Sequence, residues 1–166
     1  CSPPKEVEQL SFLHKIVITN EDTTDGSQKY TGDAHSGKYF SHTDSVTGQY
    51  GSGSLFNIPD SLIQKTLRVK VNMWVKQGDF NEKNHLAISL EDTSGILLWQ
   101  GVSFKNYIHE ANKWVNVIDS VSIPSEAINK SGLMIKIFPY NPETTSYLDV
   151  DDEEVSIYKV DKVTLK

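Results

Sequence analysis

Cysteine is all but missing from this chain. The one thiol is Cys1, so no internal disulfide can form and the core must hold itself together. Arginine also occurs once, as Arg68, and the formal net charge is −6. A nucleic-acid partner calls for the opposite, a concentration of Lys and Arg against phosphates, and is set aside. No stretch approaches the ~20 consecutive apolar residues that span a bilayer as a helix, so a membrane link is expected only through a lipid or at the surface. A sustained apolar stripe at 3.6-residue spacing is lacking as well, which argues against amphipathic helices.

Motifs that carry reaction chemistry are equally scarce. His14, His35, His42, His85 and His109 show neither His-x-His nor His-Glu-x-x-His spacing, so a transition-metal site has little support. Gly51-Ser52-Gly53-Ser54 lacks the register of a Gly-x-Ser-x-Gly elbow. Gly48, Gly51 and Gly53 do not precede a Lys in the manner of a phosphate loop. No nucleophile, metal set or acid pair across a groove stands out, and the chain is expected to be no enzyme.

What is present is ordinary globular composition, 37% hydrophobic and 10% aromatic in 166 residues, enough for one domain with a proper core. Short runs of Val, Ile, Leu and aromatics recur between turn clusters, the mark of strands. They lie at 12–19, 38–44, 53–58, 67–76, 85–91, 96–104, 114–123, 132–140, 147–150 and 155–165. A long polar loop over 20–32 follows the first, and 124–128 suits a single helical turn. The clearest strand is 67–76, where Leu67, Val69, Val71, Met73 and Val75 alternate with Arg68, Lys70, Asn72, Trp74 and Lys76, so one face is core and Trp74 falls on the other. So many short strands predict an all-β fold, a two-sheet antiparallel β-sandwich of the jelly-roll type, with a closed barrel as the alternative.

Four phrases in order resemble carbohydrate-binding modules of the galactose-binding-like jelly-roll superfamily. They are Ala34-His35-Ser36-Gly37-Lys38-Tyr39-Phe40, the 67–76 strand with its Trp74-Val75-Lys76, Asn112-Lys113-Trp114-Val115, and Val150-Asp151-Asp152-Glu153-Glu154-Val155. Independently of that likeness, Asp149, Asp151, Asp152, Glu153 and Glu154 crowd the last strand while Glu21, Asp22 and Asp25 sit in the first loop. In a jelly roll whose first and last strands are neighbours these clusters can meet, and calcium takes six to eight oxygens at irregular spacing. The resemblance implies a structural calcium there, with Glu21, the Ser36 carbonyl and Asp151 as its ligands.

The start, Cys1-Ser2-Pro3-Pro4-Lys5-Glu6, resembles a bacterial lipoprotein after signal-peptide cleavage, with the lipid on Cys1. That implies a lipid-anchored protein of the bacterial cell envelope, residues 1–10 serving as a polar tether and 11–166 as the sandwich. Surface aromatics then carry the binding expectation, because sugar rings stack on Trp and Tyr while polar neighbours take the hydroxyls. The candidates are Trp74, Trp99, Tyr107 and Tyr50, with Trp114 assigned to packing. The function expected is a non-catalytic, glycan-binding domain; the alternative is a protein-interaction or scaffold domain that docks another envelope protein on the same fold.

Overall fold

A computed structural model describes residues 6–21 and 29–164 of the chain. Its strands are β1 (Glu6–Ile18), β2 (Lys29–Thr31), β3 (Tyr39–Thr43), β4 (Ser54–Asn57), β5 (Thr66–Gln77), β6 (His85–Asp92), β7 (Gly95–Ser103), β8 (Val115–Ile123), β9 (Met134–Tyr140) and β10 (Leu148–Thr164). They form two sheets. The first runs β2-β3-β10-β5-β8 with β1 also paired to β10, and the second runs β4-β9-β6-β7. Every pairing is antiparallel. No ladder joins one sheet to the other among the described residues, so the fold is the two-sheet sandwich and not a closed barrel.

Alternation on β5 sets the core. Leu67, Val69, Val71, Met73 and Val75 are all buried and face Leu86, Ile88 and Leu90 of β6 and Ile135 and Ile137 of β9 in one apolar cluster. Each such side chain contributes about 1.5–3 kcal/mol by leaving water. The single turn expected at 124–128 is present: Ala127 and Ile128 donate to the carbonyls of Pro124 and Ser125, and Ile128 plugs the core.

β2 is a strand within the stretch 20–32 expected to be a loop, β3, β4 and β9 are each shorter than expected, and three further differences change the architecture more. β1 begins at Glu6, so residues 6–10, read as tether, are strand paired to 160–164 of β10. Backbone pairing to a long neighbour overrides the polar composition of Glu6, Glu8 and Gln9. The two final strands expected at 147–150 and 155–165 are one continuous strand of 17 residues. It crosses the acidic run with a bulge between Asp151 and Glu154, where Asp152 takes φ 48°, a left-handed value that Asp tolerates better than most residues. Phe104, expected to end a strand, sits in the 3-10 turn Phe104–Asn106, its ring fully buried. Cys1, Asp22 and Asp25 lie outside the described residues.

Candidate functional site

Two outer faces compete for the role, and their geometry separates them. On the first sheet, Trp74 does point away from the core, but the segment 33–39 lies over it like a strap. The His35 ring stacks on the indole with centroids 3.8 Å apart and planes 13° from parallel. Carboxylates of β10 and the first loop hold the strap down. Asp151 Oδ2 accepts the backbone N–H groups of His35 and Ser36 at 3.0 and 3.1 Å, and Asp152 accepts from His35 Nδ1 and Ser36 Oγ at 2.7 Å each. Glu21 Oε1 takes the N–H groups of Lys38 and Tyr39 at 2.8 and 2.9 Å. Gly37, at φ 61°, lets the carboxylate in, since a Cβ there would stand 2.3 Å from Glu21 Oε1.

Of the residues expected to hold calcium, Asp151 and Glu21 each accept backbone N–H groups of the same strap, and Asp151 bonds to Ser36. Asp151 also takes the Asp152 N–H, and Ser36 presents its N–H and hydroxyl to the carboxylates. Among the described residues no group of three or more His, Cys, Asp or Glu side chains is placed to hold a metal ion. Burial pushes the Asp151 carboxyl up, opposed by the Ser36 and Asp152 N–H bonds.

Beside the strap, Lys76 is buried against the rings of Trp114, Phe40 and Tyr147 and reaches Asp149, which also binds His42 Nδ1. Burial raises the Asp149 carboxyl while His42 and Lys76 hold it down. Trp114 donates to the Asp33 carbonyl at 2.9 Å, in keeping with a packing role. Tyr107 lies elsewhere, packed on the core. Its hydroxyl bonds to Asp119 and the Ile118 carbonyl at 2.9 and 3.1 Å, and burial followed by Asp119 pushes its pKa up. The His35 ring thus covers one face of Trp74, and Tyr107 is half-buried with its hydroxyl engaged.

The outer face of the second sheet is different. Register brings its outward residues into rows across the strands: Leu55, Lys136, Ser89 and Trp99 form one, Phe138, Ala87 and Gly101 the next, and Tyr50, Tyr140, His85 and Ser103 the third. Ala87 and Ser89 point outward yet are 0% exposed, which means larger neighbours cover them. Trp99 reaches across to do so. Its ring centroid lies 5.5–5.6 Å from those of Tyr140 and Phe138 at 74° and 72°, and its indole N–H donates to His85 Nε2 at 3.4 Å. His85 Nδ1 donates to the Lys83 carbonyl at 2.7 Å, fixing the tautomer that leaves Nε2 as acceptor. Trp99 itself stays 39% exposed.

Tyr50 joins the cluster from the other side because the glycine run lets the chain press against β9. A Cβ on Gly53 would meet the Ile137 carbonyl at 2.8 Å, and one on Gly51 would meet Ser41 Oγ at 2.7 Å. The approach is sealed by the Gly51 N–H bond to the Pro139 carbonyl. The Tyr50 ring then stacks on Tyr140, 5.3 Å away at 23°, and remains 57% exposed. Two recesses open on either side of this aromatic ridge. One, of about 520 Å³, is lined by His85, Trp99, Gln100 and Ser103 with Glu82 and Lys83 at its rim. The other, of about 390 Å³, is lined by Tyr50, Gly53, Leu55, Lys136 and Phe138. Both fall in the size range of small-ligand sites.

Known proteins add only distant likenesses. No protein-family model matches the chain, and no curated protein sequence matches it. Among solved structures it is similar to the carbohydrate-binding module TmCBM61, in complex with beta-1,4-galactotriose, at 14% identity over 87% of this chain and 88% of that one, with a TM-score of 0.36. It is also similar to the K1 cleaved adhesin domain of Lys-gingipain from Porphyromonas gingivalis W83, at 13% identity over 91% and 97% of the two chains, TM-score 0.39. A third is VP2 of infectious bursal disease virus, at 9% identity and TM-score 0.41, where the match covers 92% of this chain but 41% of that one. Likenesses this remote say nothing about a ligand.

The face itself offers rings to stack on and short polar groups to bond with. Trp99 and Tyr50 were legible as candidates, and the structure joins them into one cluster. Phe138, Tyr140 and His85 complete it and were missed. Alternation on β9 carried the signal, since Lys136, Phe138 and Tyr140 all share the outward parity.

Proposed function

We propose that this protein is a non-catalytic glycan-binding domain whose ligand lies on the outer face of the second sheet, stacked on Trp99 and Tyr50. The observation that carries the reading is Trp99: a large ring held over Ala87 and Ser89 by three other rings, with one-third or more of its surface left to solvent. A ring fixed at such cost in exposed apolar area favours a partner with an apolar face and hydroxyl edges, which is what a pyranose offers. Ser103, in the outward row with His85, lines the recess beside Trp99 and supplies a hydroxyl partner for a sugar.

The test is a glycan array with the parent and with Trp99→Ala. The variant is expected to melt close to the parent, because a partly exposed ring costs less to remove than the ~3–5 kcal/mol of a buried one, while losing most of its affinity. Equal binding by the two proteins removes the reading.

A second reading is the protein-interaction domain. Ile96 and Leu97, exposed at the tip of the β6–β7 hairpin beside Trp99, favour it. A partner protein captured by the parent and lost with Ile96→Glu, in the absence of any glycan hit, would install it.

Membership of the galactose-binding-like superfamily belongs to the same proposal, as does anchoring in the bacterial envelope through a lipid on Cys1. Metabolic labelling with an alkyne fatty acid, lost in Cys1→Ser, tests the anchor. The calcium ion is a separate proposal: to sit at Glu21, Ser36 and Asp151 it would have to displace the N–H donors now bonded to Glu21 and Asp151. A melting temperature that rises in calcium over chelator supports it, and an unchanged one removes it.

A further inference from the structure

On the reading of this face as a glycan site, we infer that its two recesses are one continuous site for an uncharged oligosaccharide laid across the strands, and that it discriminates against uronic acids. The continuity follows from the ridge. Tyr50 stacks on Tyr140, and Trp99 packs on both Tyr140 and Phe138, so each recess shares a wall with the other. From β4 to β7 the sheet takes three strand spacings, roughly 14 Å. One pyranose spans about one spacing, so a chain that touches both recesses has three or four sugars.

The charge preference follows from how the cations at the face are spent. Lys83, at the rim of the larger recess, is ion-paired to Glu143, which raises its pKa. Lys136, in the smaller one, binds Glu91 at 2.6 Å. Ser89 Oγ donates to the same carboxylate at 2.6 Å. Burial works against the Glu91 charge, yet Lys136 and Ser89 hold its carboxyl below the usual range. His85 has both ring nitrogens committed, one as donor and one as acceptor. Glu82 adds an exposed carboxylate at the rim. A sugar carboxylate entering here meets no unspent cation and one like charge, a juxtaposition that costs selectivity against it. Hydroxyl-bearing neutral sugars meet no such barrier.

The probes are matched oligomers from mono- to hexasaccharide, galactan against galacturonan and mannan against mannuronan, titrated calorimetrically into the parent, Tyr50→Ala, Trp99→Ala and Glu143→Gln. Neutral oligomers are expected to gain affinity up to the tri- or tetrasaccharide and then level off, with little dependence on salt. Uronate oligomers of equal length bind at least about tenfold more weakly. Tyr50→Ala and Trp99→Ala each weaken the same long oligomer. Glu143→Gln releases Lys83 and closes much of the gap for uronates.

Equal or tighter uronate binding overturns the charge preference. A ligand weakened by Trp99→Ala but indifferent to Tyr50→Ala overturns the continuous site, and the glycan reading survives both results. Absence of binding by every oligomer overturns the glycan reading and this inference with it.

Discussion

Glu153 shows what a single side chain can cost. It lies in β10 with 2% of its surface exposed, and its Oε1 has no hydrogen-bond partner among the described residues. Burial alone pushes its pKa up from 4.5 to about 8. Because the folded value is the higher one, the folded state favours the protonated carboxyl. Stability is then fully present below the unfolded pKa and is lost as pH rises through about 8, by up to about 1.4 kcal/mol per pH unit. Glu153→Gln should flatten that slope and melt above the parent in mildly alkaline buffer, while differing little in acid. Denaturant titrations across this pH range check it, and a parent whose stability does not fall toward pH 8 contradicts the assignment. At the same scale, Trp74 lies on the expected side of its strand, and the His35 ring covers one of its faces. The residues that close over it, His35 and Ser36, are tied to Asp151 and Asp152 more than 110 positions away, a contact that no local pattern encodes.

Elements with strict alternation were the legible ones. β5 and β6 match the reading nearly residue for residue, because one buried face per strand leaves a period of two that survives in composition. Val71, 2% exposed at the middle of β5, is therefore a sound place to break the fold. Val71→Asp should abolish the cooperative transition by burying an unpaired charge, whereas Lys70→Asp on the solvent face should shift the melting temperature only slightly. A soluble, cooperatively melting Val71→Asp protein would show the register to be wrong. β10 was half missed for the opposite reason. The acids of 151–154 fell between two expected strands, but here two of them are bonded to a loop that packs over the strand and a bulge absorbs the change of face. The candidate site was legible in part for the same cause: Trp99 and Tyr50 are conspicuous alone, while Phe138, Tyr140 and His85 gain meaning only when register sets them side by side.

At the level of the whole molecule, β10 is the member that joins the first sheet together. It pairs with β5 on one side and with β3 and then β1 on the other, so β1, more than 130 residues earlier, has no strand neighbour among the described residues until β10 arrives. A ribosome delivers these pieces in the reverse of the order in which they are useful. While residues 6–147 emerge, the pairings among the described residues that can form are those of the second sheet, the β2–β3 hairpin and the β5–β8 pair, and the edges of β1 and β5 wait unpaired for β10. Long-range closure of this kind is slow and leaves the nascent chain exposed to misassociation. A chain ending at Tyr147 should accordingly be insoluble or lack a cooperative melt, and supplying residues 148–164 as a separate peptide should restore one. A strand that joins a sheet at such a distance in sequence leaves its partners' edges open for most of their time on the ribosome, the state in which a holding chaperone protects a nascent chain.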